Sequence, residues 1–277
     1  HIKENVFTKG EIIMKRFLAL ALALVLIFAL SACGKQDKET KNMTDLQYIQ
    51  DKGKLVVGIT EFKPMDYKDA DGNWIGFDAD MAKAFAKSIG VDVEFVEIDW
   101  DNKVAELDGK AIDCVWNGMT LSDEVTSAMD CTKPYCSNRQ VVVVKKDVAD
   151  KYTTVEACKD LTFAVEAGSA GASAAKEAGF TKITEVKDQA TALSEIAAGT
   201  SDAAVIDLTM AKAMTGEGTD YANVVSTVEL TSEDYGVGFR KGSDLVVVLN
   251  EFFKTDYENM KKTAEKYGIS DILAEQK

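Results

Sequence analysis

Residues 78–98, DADMAKAFAKSIGVDVEFVEI, contain the pattern that decides the fold class. Over residues 78–89 the apolar side chains recur every three or four positions, which predicts a helix with one buried face, and Asp78 stands where it would cap the helix N-terminus. Residues 91–98 alternate between polar and apolar side chains, as a half-buried strand does. Upstream, residues 54–60 (KLVVGIT) form an apolar run typical of a buried strand. The sequence therefore predicts a strand, a helix and a strand in succession.

The same alternation of strands and helices continues along the rest of the chain. It includes four consecutive valines at residues 141–144, which predict a core strand, and a long helical segment at residues 245–267. Residues 107–115 and 196–205 resemble each other, because each passes from a helix through glycine and aspartate into a strand. This alternation predicts an α/β fold with mostly parallel sheets, and the internal resemblance favours two similar lobes over one continuous sheet.

The composition excludes several classes of function. The 277 residues include 46 acidic and 32 basic side chains, for a formal charge of −14, and a body this acidic repels a phosphate backbone, so no nucleic-acid partner is expected. The one histidine, His1, lies upstream of a predicted export signal, which argues against Ser-His-Asp and Cys-His catalysis and against histidine-bound metals. No C-x-x-C pair exists either. We therefore expect no metal site, no cofactor and no catalytic residues.

An export signal is predicted near the start of the chain. Met14, Lys15 and Arg16 precede an unbroken apolar run at residues 17–30, and small residues follow it. This order is typical of a secretory signal peptide over residues 14–32, and the run is short for a membrane-spanning helix, which needs about 20 residues. Residues 1–13 are interpreted as upstream sequence translated ahead of the true start.

The end of the signal points to a lipid anchor. Leu30, Ser31, Ala32 and Cys33 resemble the bacterial lipobox, in which the cysteine is lipidated and becomes the new N-terminus. Residues 33–44 are mostly polar, as a tether should be. The alternative is an ordinary signal peptide with a chance cysteine.

The four later cysteines raise the question of a disulfide. Cys131 and Cys136 are close enough in sequence for a hairpin or loop to join them, and free thiols are the alternative. Cys114 lies in an apolar segment and is expected to be an inert core residue.

Residues 72–81, GNWIGFDADM, closely resemble the signature of the extracellular solute-binding proteins of family 3, which serve ABC importers of polar amino acids. Four further segments match in the order of that family, and together the matches cover residues 46–277. The four segments are residues 113–120, 134–135, 166–169 and 199–207.

The family resemblance implies a type II periplasmic-binding-protein fold. In this fold two α/β lobes are joined by two crossing strands and close on a small ligand. One lobe would comprise residues 45–138 and 233–277, and the other residues 139–232. Closure buries the ligand between the lobes, where a few fixed polar groups act in a low dielectric.

The resemblance also implies three ligand contacts from side chains. Asp207 matches the acidic partner of the ligand ammonium, and it follows a predicted strand at the edge where α/β sheets bind ligands. Its alternative role is to cap the next helix. Phe62 and Trp100 match the aromatic walls on either side of the ligand, and the alternative for both is simple core packing.

Two loops complete the implied site. Asn117, Gly118 and Thr120 match the loop whose main chain and hydroxyl meet the ligand, although Gly118 could serve only a turn. Gly168 and Ser169 open a predicted helix whose free N–H groups favour an anion, and Ser169 as a plain N-cap is the competing interpretation.

One position departs from the family pattern. Relatives hold the ligand carboxylate with an arginine at the position of Val125. Beyond the signal, the sequence contains only Arg139, a possible substitute near the predicted crossing, and Arg240, which is expected on the surface. A buried carboxylate without a partner costs several kcal/mol. Either the helix start at Gly168 holds the anion, or the ligand is not an ordinary α-amino acid.

Together these features predict a monomeric, extracytoplasmic substrate-binding lipoprotein of an ABC importer, anchored to the cell membrane by a lipid at Cys33. It would capture a small amine-bearing solute, foremost an amino acid, by hinge closure and deliver it to a permease with its ATPase, without catalysis. One alternative is a ligand-sensing lipoprotein. The other is an enzyme on the same fold, of the dehydratase or lytic transglycosylase type, which the absence of histidine in the mature chain disfavours.

Overall fold

The computed structural model describes residues 43–277. The predicted upstream sequence, the signal peptide, the lipidation site Cys33 and the tether up to residue 42 lie outside the described residues. No helix among residues 43–277 combines the length and the apolar character that crossing a membrane requires.

The described residues form thirteen strands and ten α-helices, numbered here in chain order. The strands are β1 (Lys54–Ile59), β2 (Tyr67–Lys68), β3 (Trp74–Ile75), β4 (Asp92–Glu97), β5 (Cys114–Thr120), β6 (Asp130–Cys131), β7 (Cys136–Asn138), β8 (Gln140–Lys145), β9 (Phe163–Glu166), β10 (Ile183–Val186), β11 (Ala203–Asp207), β12 (Val224–Glu229) and β13 (Glu233–Phe239). The helices are α1 (Asp45–Lys52), α2 (Phe77–Ser88), α3 (Lys103–Asp108), α4 (Asp123–Ala128), α5 (Val155–Cys158), α6 (Ala170–Glu177), α7 (Gln189–Ala198), α8 (Leu208–Met214), α9 (Leu245–Thr255) and α10 (Tyr257–Lys266).

The strands form two main sheets. The first has the order β4-β1-β5-β13-β6, with β7 also paired to β13; β1 is parallel to β4 and β5, whereas β13 is antiparallel to its partners. The second has the order β10-β9-β11-β8-β12, with β9, β10 and β11 parallel and β8 antiparallel to β11 and β12. We call the first sheet and the helices packed on it lobe 1, and the second sheet and its helices lobe 2.

The chain passes between the two sheets twice. It leaves the first sheet at Asn138 and enters the second at Gln140, so Arg139 alone separates β7 from β8. It returns between Glu229, the last residue of β12, and Glu233, the first of β13. The predicted α/β architecture of two lobes joined by two crossings is thus confirmed, while the predicted residue limits of the lobes stay a prediction.

The valine run of β8 shows why this strand lies in the interior. Val141 and Val143 pack in one apolar cluster, and Val142 and Val144 pack in another. Successive side chains of a strand point to opposite faces, so both faces of β8 are covered. The predicted core strand is present.

The N-cap predicted at Asp78 is wrong. Helix α2 begins at Phe77, directly after Gly76, and Asp78 lies within its first turn with no exposed surface. The Asp78 carboxylate instead accepts hydrogen bonds from the amide of Gly118 at 2.7 Å and from the hydroxyl of Tyr135 at 2.8 Å. A carboxylate buried by its neighbours satisfies donors from other elements rather than its own helix end.

The single helix predicted over residues 245–267 is two helices. They are separated by Asp256, whose φ of −101° and ψ of 14° leave the helical region. The hydroxyl of Thr255 donates to the carbonyl of Glu251 at 3.0 Å, and Asp256 accepts from the side chain of Asn259 at 2.9 Å. Thr and Asp side chains compete for backbone and local partners in this way, and the helix breaks where they do so.

Arg240 is buried, not on the surface as expected. Its Nη1 donates to the carbonyls of Ile112 at 2.9 Å and Leu107 at 3.3 Å, and its Nε pairs with Asp45 at 3.2 Å. The guanidinium therefore joins α1 and the loop before β5 to the end of β13. Several donors in a fixed plane suit an arginine to this role.

The described cysteines are free thiols, so the disulfide considered between Cys131 and Cys136 is absent. Cys114 is fully buried in the core, as expected. Burial raises the pKa of Cys131 to about 11, which keeps this thiol protonated at neutral pH.

Candidate ligand-binding site

A cavity of about 550 Å³ is lined by residues of both lobes. Thr60 follows β1, and Glu166 and Asp207 end β9 and β11, so the cavity lies at the carboxyl ends of parallel strands, where α/β sheets bind ligands. All eight contact residues predicted from the sequence line it: Phe62, Trp100, Asn117, Gly118, Thr120, Gly168, Ser169 and Asp207. The structure brings them together, and their contacts with a ligand stay predictions.

Asp207 is the centre of a hydrogen-bond network. It is 4% exposed and accepts from the hydroxyl of Tyr235 at 2.6 Å and from the side-chain amides of Asn138 and Gln189. Its side chain makes no capping bond to α8, so the alternative role is not observed. Burial raises the pKa of Asp207 to about 7, and the charge of Glu233 adds to the effect.

The side chain of Asn117 is engaged with the protein. Its Oδ1 accepts from the amide and the hydroxyl of Thr60 at 3.0 and 2.8 Å. Its Nδ2 donates to the carbonyl of Thr60 at 3.0 Å and to Asp66 at 2.8 Å. Asn117 therefore fixes the cavity wall after β1, and its four polar contacts use most of its hydrogen-bonding capacity.

Gly118 fits closely against Phe62. The glycine has a φ of +53°, and a Cβ at this position would lie 2.3 Å from the Phe62 ring. The ring itself is 3% exposed and stands edge-on to Tyr235 at 6.3 Å. The two interpretations of Phe62, as core and as cavity wall, are both observed, because the ring belongs to a buried apolar cluster and lines the cavity.

Trp100 forms another wall, next to Lys103. The indole is 8% exposed, and the Lys103 Nζ lies 5.1 Å from the ring centre, within cation–π range. The same ammonium donates to the carbonyl of Trp100 at 3.2 Å and to that of Gly168 at 2.9 Å. Burial lowers the pKa of Lys103. Lys103 was not predicted as a site residue, because no neighbouring residue in the sequence distinguishes it from a surface lysine of α3.

At the start of α6 the N-cap is observed, while the predicted contact with an anion stays a prediction. The Ser169 hydroxyl accepts from the amide of Ala172 at 3.0 Å, so the N-cap interpretation is observed, and Ser169 still lines the cavity. Gly168 has a φ of +66°, and a Cβ there would lie 2.6 Å from the Asp101 carboxylate of lobe 1. Gly168 thus lies where the two lobes approach each other.

Two carboxylates of the cavity were not predicted as contacts. Glu166 is 3% exposed, and its Oε1 has no hydrogen-bond partner. Burial raises the pKa of Glu166 to about 8, and the charge of Asp207 adds to the effect. Glu166 lies in residues 166–169, one of the segments that resemble the family, and this position was the sequence feature from which a contact could have been predicted. Glu233 lies at the second crossing, where no motif marks it.

Glu233 completes the network below the cavity. Its Oε1 accepts from the hydroxyl of Thr120 at 2.9 Å and from the amides of Asn138 and Gln140 at 2.7 and 2.8 Å. Thr120 therefore donates to a carboxylate of the cavity lining, Glu233. The hydrogen bonds of Glu233 connect residues next to both crossings.

The lining of the cavity is strongly acidic. Two of its side chains are cationic, and the Lys176 ammonium pairs with Glu185 at 3.0 Å. No group of three or more Asp, Glu, Cys or His residues within residues 43–277 is arranged to hold a metal ion. The acidic residues of the lining are Asp101, Asp123, Glu124, Glu166, Glu177, Glu185, Asp207 and Glu233.

No arginine lines this cavity. Arg139, considered as a substitute for the missing guanidinium, pairs with Glu229 at 3.4 Å and borders a separate cavity of about 340 Å³. Val125 is 7% exposed and packs in the lobe 1 core while lining the ligand cavity, so this part of the wall is apolar. An arrangement of many carboxylates and few free cations favours a cationic ligand.

Comparison with known proteins finds relatives that are similar in sequence and in fold. The model of the bacterial extracellular solute-binding proteins, family 3, matches residues 55–270. The arginine-binding extracellular protein ArtP of Bacillus subtilis (strain 168) is 30% identical over 256 residues, which are 89% of this chain and 94% of that protein.

Two solved structures resemble the chain closely. One is an ancestral amino acid-binding protein, AncCDT-1, described as a precursor of cyclohexadienyl dehydratase; it is 36% identical with a TM-score of 0.73, over 80% of this chain and 98% of that one. The other is a substrate-binding protein of an ABC uptake transporter from Streptococcus pneumoniae with bound histidine. It is 28% identical with a TM-score of 0.76, over 84% of this chain and 99% of that one.

Proposed function

Because the chain belongs to family 3 of the bacterial extracellular solute-binding proteins, we propose that it captures a small amine-bearing solute in the cavity between its lobes. The solute would be an amino acid or a related amine. The observation that carries this proposal is the charge of the lining, in which eight carboxylates face two lysines that both have protein partners. A protonated amine is the kind of ligand that such a lining attracts.

Capture would proceed by closure of the two lobes. The hinge would lie at the two crossings. One crossing is Arg139 and the other is residues 230–232, and each is a short segment that connects a strand of one sheet to a strand of the other. Closure removes water from the carboxylates around Asp207, and each ion pair and hydrogen bond to the solute then acts in a lower dielectric. Phe62 and Trp100 would supply flat apolar walls, to which a cation can also bind.

We further propose that the protein is a monomeric lipoprotein that passes its solute to an ABC permease and ATPase. Support comes from the lipobox-like residues before Cys33 and from the relative described as part of an ABC uptake transporter. Replacing Cys33 by alanine should move the protein from the membrane fraction to the soluble fraction. An unchanged membrane fraction would contradict the lipid anchor.

A thermal-shift screen against amino acids and amines tests the binding function. A solute that binds only the folded protein increases the free energy of unfolding, by about 2.7 kcal/mol when its concentration is one hundred times the dissociation constant. The melting temperature rises as a result. We expect at least one amine-bearing compound to do so and none of the carboxylic acids that lack an amine. If no amine-bearing compound shifts the melting temperature, the proposal is wrong.

The same samples test the enzymatic alternative, which the description of AncCDT-1 as a dehydratase precursor keeps relevant. After prolonged incubation with the protein, the solute should be recovered chemically unchanged. Conversion of the solute would assign catalysis to this chain. A sensing role would instead show as normal uptake of the solute by cells that lack the protein.

A further inference from the structure

Glu166 differs from the buried Asp207 and the half-buried Glu233 in its hydrogen bonds. Its Oε1 has no partner, although the side chain is 3% exposed and lines the cavity. Asp207 accepts from three side chains, and so does the Oε1 of Glu233. A buried acceptor without a donor destabilises the fold. A solute that donates to Glu166 recovers this cost, and Asp207, which uses three of its roughly four lone-pair positions, can accept one further donor.

Strands β9 and β11 of lobe 2 are parallel neighbours, with Ala164 paired to Ala204. The same register sets Glu166 opposite Ile206, one residue before Asp207, so both carboxyl groups lie at the same edge of the sheet. Neighbouring strands lie about 4.8 Å apart. Both carboxyl groups line the cavity, and they are close enough for the charge of Asp207 to raise the pKa of Glu166.

No cationic side chain of the lining forms an ion pair with Glu166, although the charges of Lys103 and Glu166 attract each other. Lys103 donates to the main-chain carbonyls of Trp100 and Gly168, and Lys176 pairs with Glu185. These are the cationic side chains of the lining. Two adjacent carboxylates without a matching cation repel each other and favour a ligand that brings positive charge to both.

We propose that Glu166 receives a second cationic group of the solute, so that the preferred solute is a dication held by Asp207 and Glu166 together. This inference rests on the proposed function, because it places an amine at Asp207. A basic amino acid and a diamine both carry this chemistry, and an ammonium group supplies the hydrogen-bond donors that Glu166 Oε1 lacks.

Two matched pairs of compounds test the charge preference by titration calorimetry on the full chain. Lysine and norleucine differ in the side-chain ammonium, and 1,5-diaminopentane and pentylamine differ in one terminal ammonium. We expect the dication of at least one pair to bind about tenfold or more tightly than its monocation. Whether lysine or 1,5-diaminopentane binds more tightly distinguishes a basic amino acid from a diamine, and either order supports the dication.

The Glu166→Gln variant assigns the preference to this residue. It should reduce the ratio of dication to monocation affinity by about tenfold while changing monocation affinity by less than about threefold. Glu217→Gln is the control, because Glu217 is an exposed glutamate of the same lobe that does not line the cavity, and it should leave the ratio unchanged. Glu166→Ala provides a second variant should the glutamine fold poorly.

Two results would overturn the inference. Equal binding of dication and monocation by the wild type in both pairs would remove the second cation, and an unchanged ratio in folded Glu166→Gln and Glu166→Ala would remove Glu166. Both results leave amine binding itself intact. A failure of every amine-bearing compound to bind would instead contradict the proposed function.

Discussion

The ammonium of Lys103 in lobe 1 donates to the carbonyl of Gly168 in lobe 2 at 2.9 Å, a hydrogen bond that joins the lobes beside the cavity. Lys187 and Glu97 also join the lobes, at 2.8 Å, with side chains that are 54% and 35% exposed. Exposed pairs contribute about 0.2–1 kcal/mol, whereas hydrogen bonds to a charged group contribute about 1.5–3 kcal/mol. Of these two contacts between the lobes, the buried hydrogen bond of Lys103 is therefore the stronger.

Replacing Lys103 by methionine should open the solute-free protein. The change keeps much of the apolar stem but removes the donor to Gly168, so arrangements with separated lobes gain population. The opening should appear as a larger radius of gyration in solution scattering and as a longer inter-lobe distance between spin labels. Affinity is a poorer readout, because removal of a positive charge also favours a cation in the acidic cavity.

The control for this variant is Lys187→Met, which removes the exposed pair with Glu97 and should change the inter-lobe distance less. Saturating solute should return Lys103→Met toward the compact form and should compact the wild type as well. If solute leaves the radius and the distance of the wild type unchanged, closure of the lobes is not how the protein binds.

Asp207→Asn should weaken binding of an amine by at least about 2 kcal/mol, because it removes the charge partner of a desolvated ammonium. The asparagine would also present an N–H₂ group to Tyr235, Asn138 or Gln189, which donate to the aspartate in the native protein. Titration calorimetry measures the loss. Asp123→Asn is the control, since Asp123 lines the same cavity but is exposed, and wild-type affinity in Asp207→Asn would remove Asp207 from the site.

The stability of the solute-free protein should fall as the pH rises from 5.5 to 8.5. Burial raises the pKa of Glu166 to about 8 and those of Asp78 and Asp207 to about 7. In the unfolded chain such groups titrate near pH 4, at about their model values. Between about pH 4 and pH 8 the folded protein therefore binds more protons than the unfolded chain, and its free energy of unfolding decreases with pH. Thermal melts at several pH values measure the decrease.

Glu166→Gln should flatten the upper part of this dependence, between about pH 7 and pH 8.5, because it removes the group with the highest of the three pKa values. At pH 8.5 the variant should have a higher melting temperature than the wild type. In a chain of this size, each kcal/mol added to the free energy of unfolding raises the melting temperature by about 2–4 °C. Glu217→Gln should follow the wild-type curve. A wild-type stability that rises between pH 5.5 and 8.5 would show that these carboxyl groups are not protonated in the folded state.

Solute binding at pH 7 should release protons. A cation next to Glu166 lowers the pKa of this carboxyl group, which burial and the charges of Asp207 and Asp188 raise. Up to about one proton per solute would leave Glu166. Calorimetry in two buffers of different ionisation enthalpy measures the number released. The same apparent enthalpy in both buffers would contradict the prediction, and Glu166→Gln should release fewer protons than the wild type.

Much of the site could be predicted because five segments of the sequence resemble family 3, and that resemblance implied the ligand contacts. Strand ends support part of the implied site, since Asp207 follows an apolar run and Gly168 separates a strand from a helix. Parallel strands bring such ends to one edge of a sheet. Helical and strand spacing predicted the α/β class, the internal resemblance favoured two lobes, and the family resemblance implied the type II fold.

The rest depended on contacts between distant segments. The position of Asp78 before an amphipathic helix suits a cap, and only the fold shows that Gly118 and Tyr135 bury it and donate to it. The charge of Arg240 predicts an exposed side chain. In the folded protein, however, its guanidinium is buried and contacts Asp45 and two main-chain carbonyls. No local pattern reports that Glu166 Oε1 lacks a donor, because this property belongs to the assembled cavity.

The close fit of Gly118 against Phe62 limits how a scaffold of this kind can diversify. Any side chain at position 118 would meet the ring, and the left-handed backbone there is strained for residues other than glycine. A new preference would have to arise elsewhere on the lining, because altering this wall means replacing the glycine and the ring together. Glu166 is free of that restriction: its side chain ends a strand, and its Oε1 has no hydrogen-bond partner to lose. Over evolutionary time, a substitution at Glu166 therefore meets fewer steric restrictions than one at Gly118, which is constrained to persist together with Phe62.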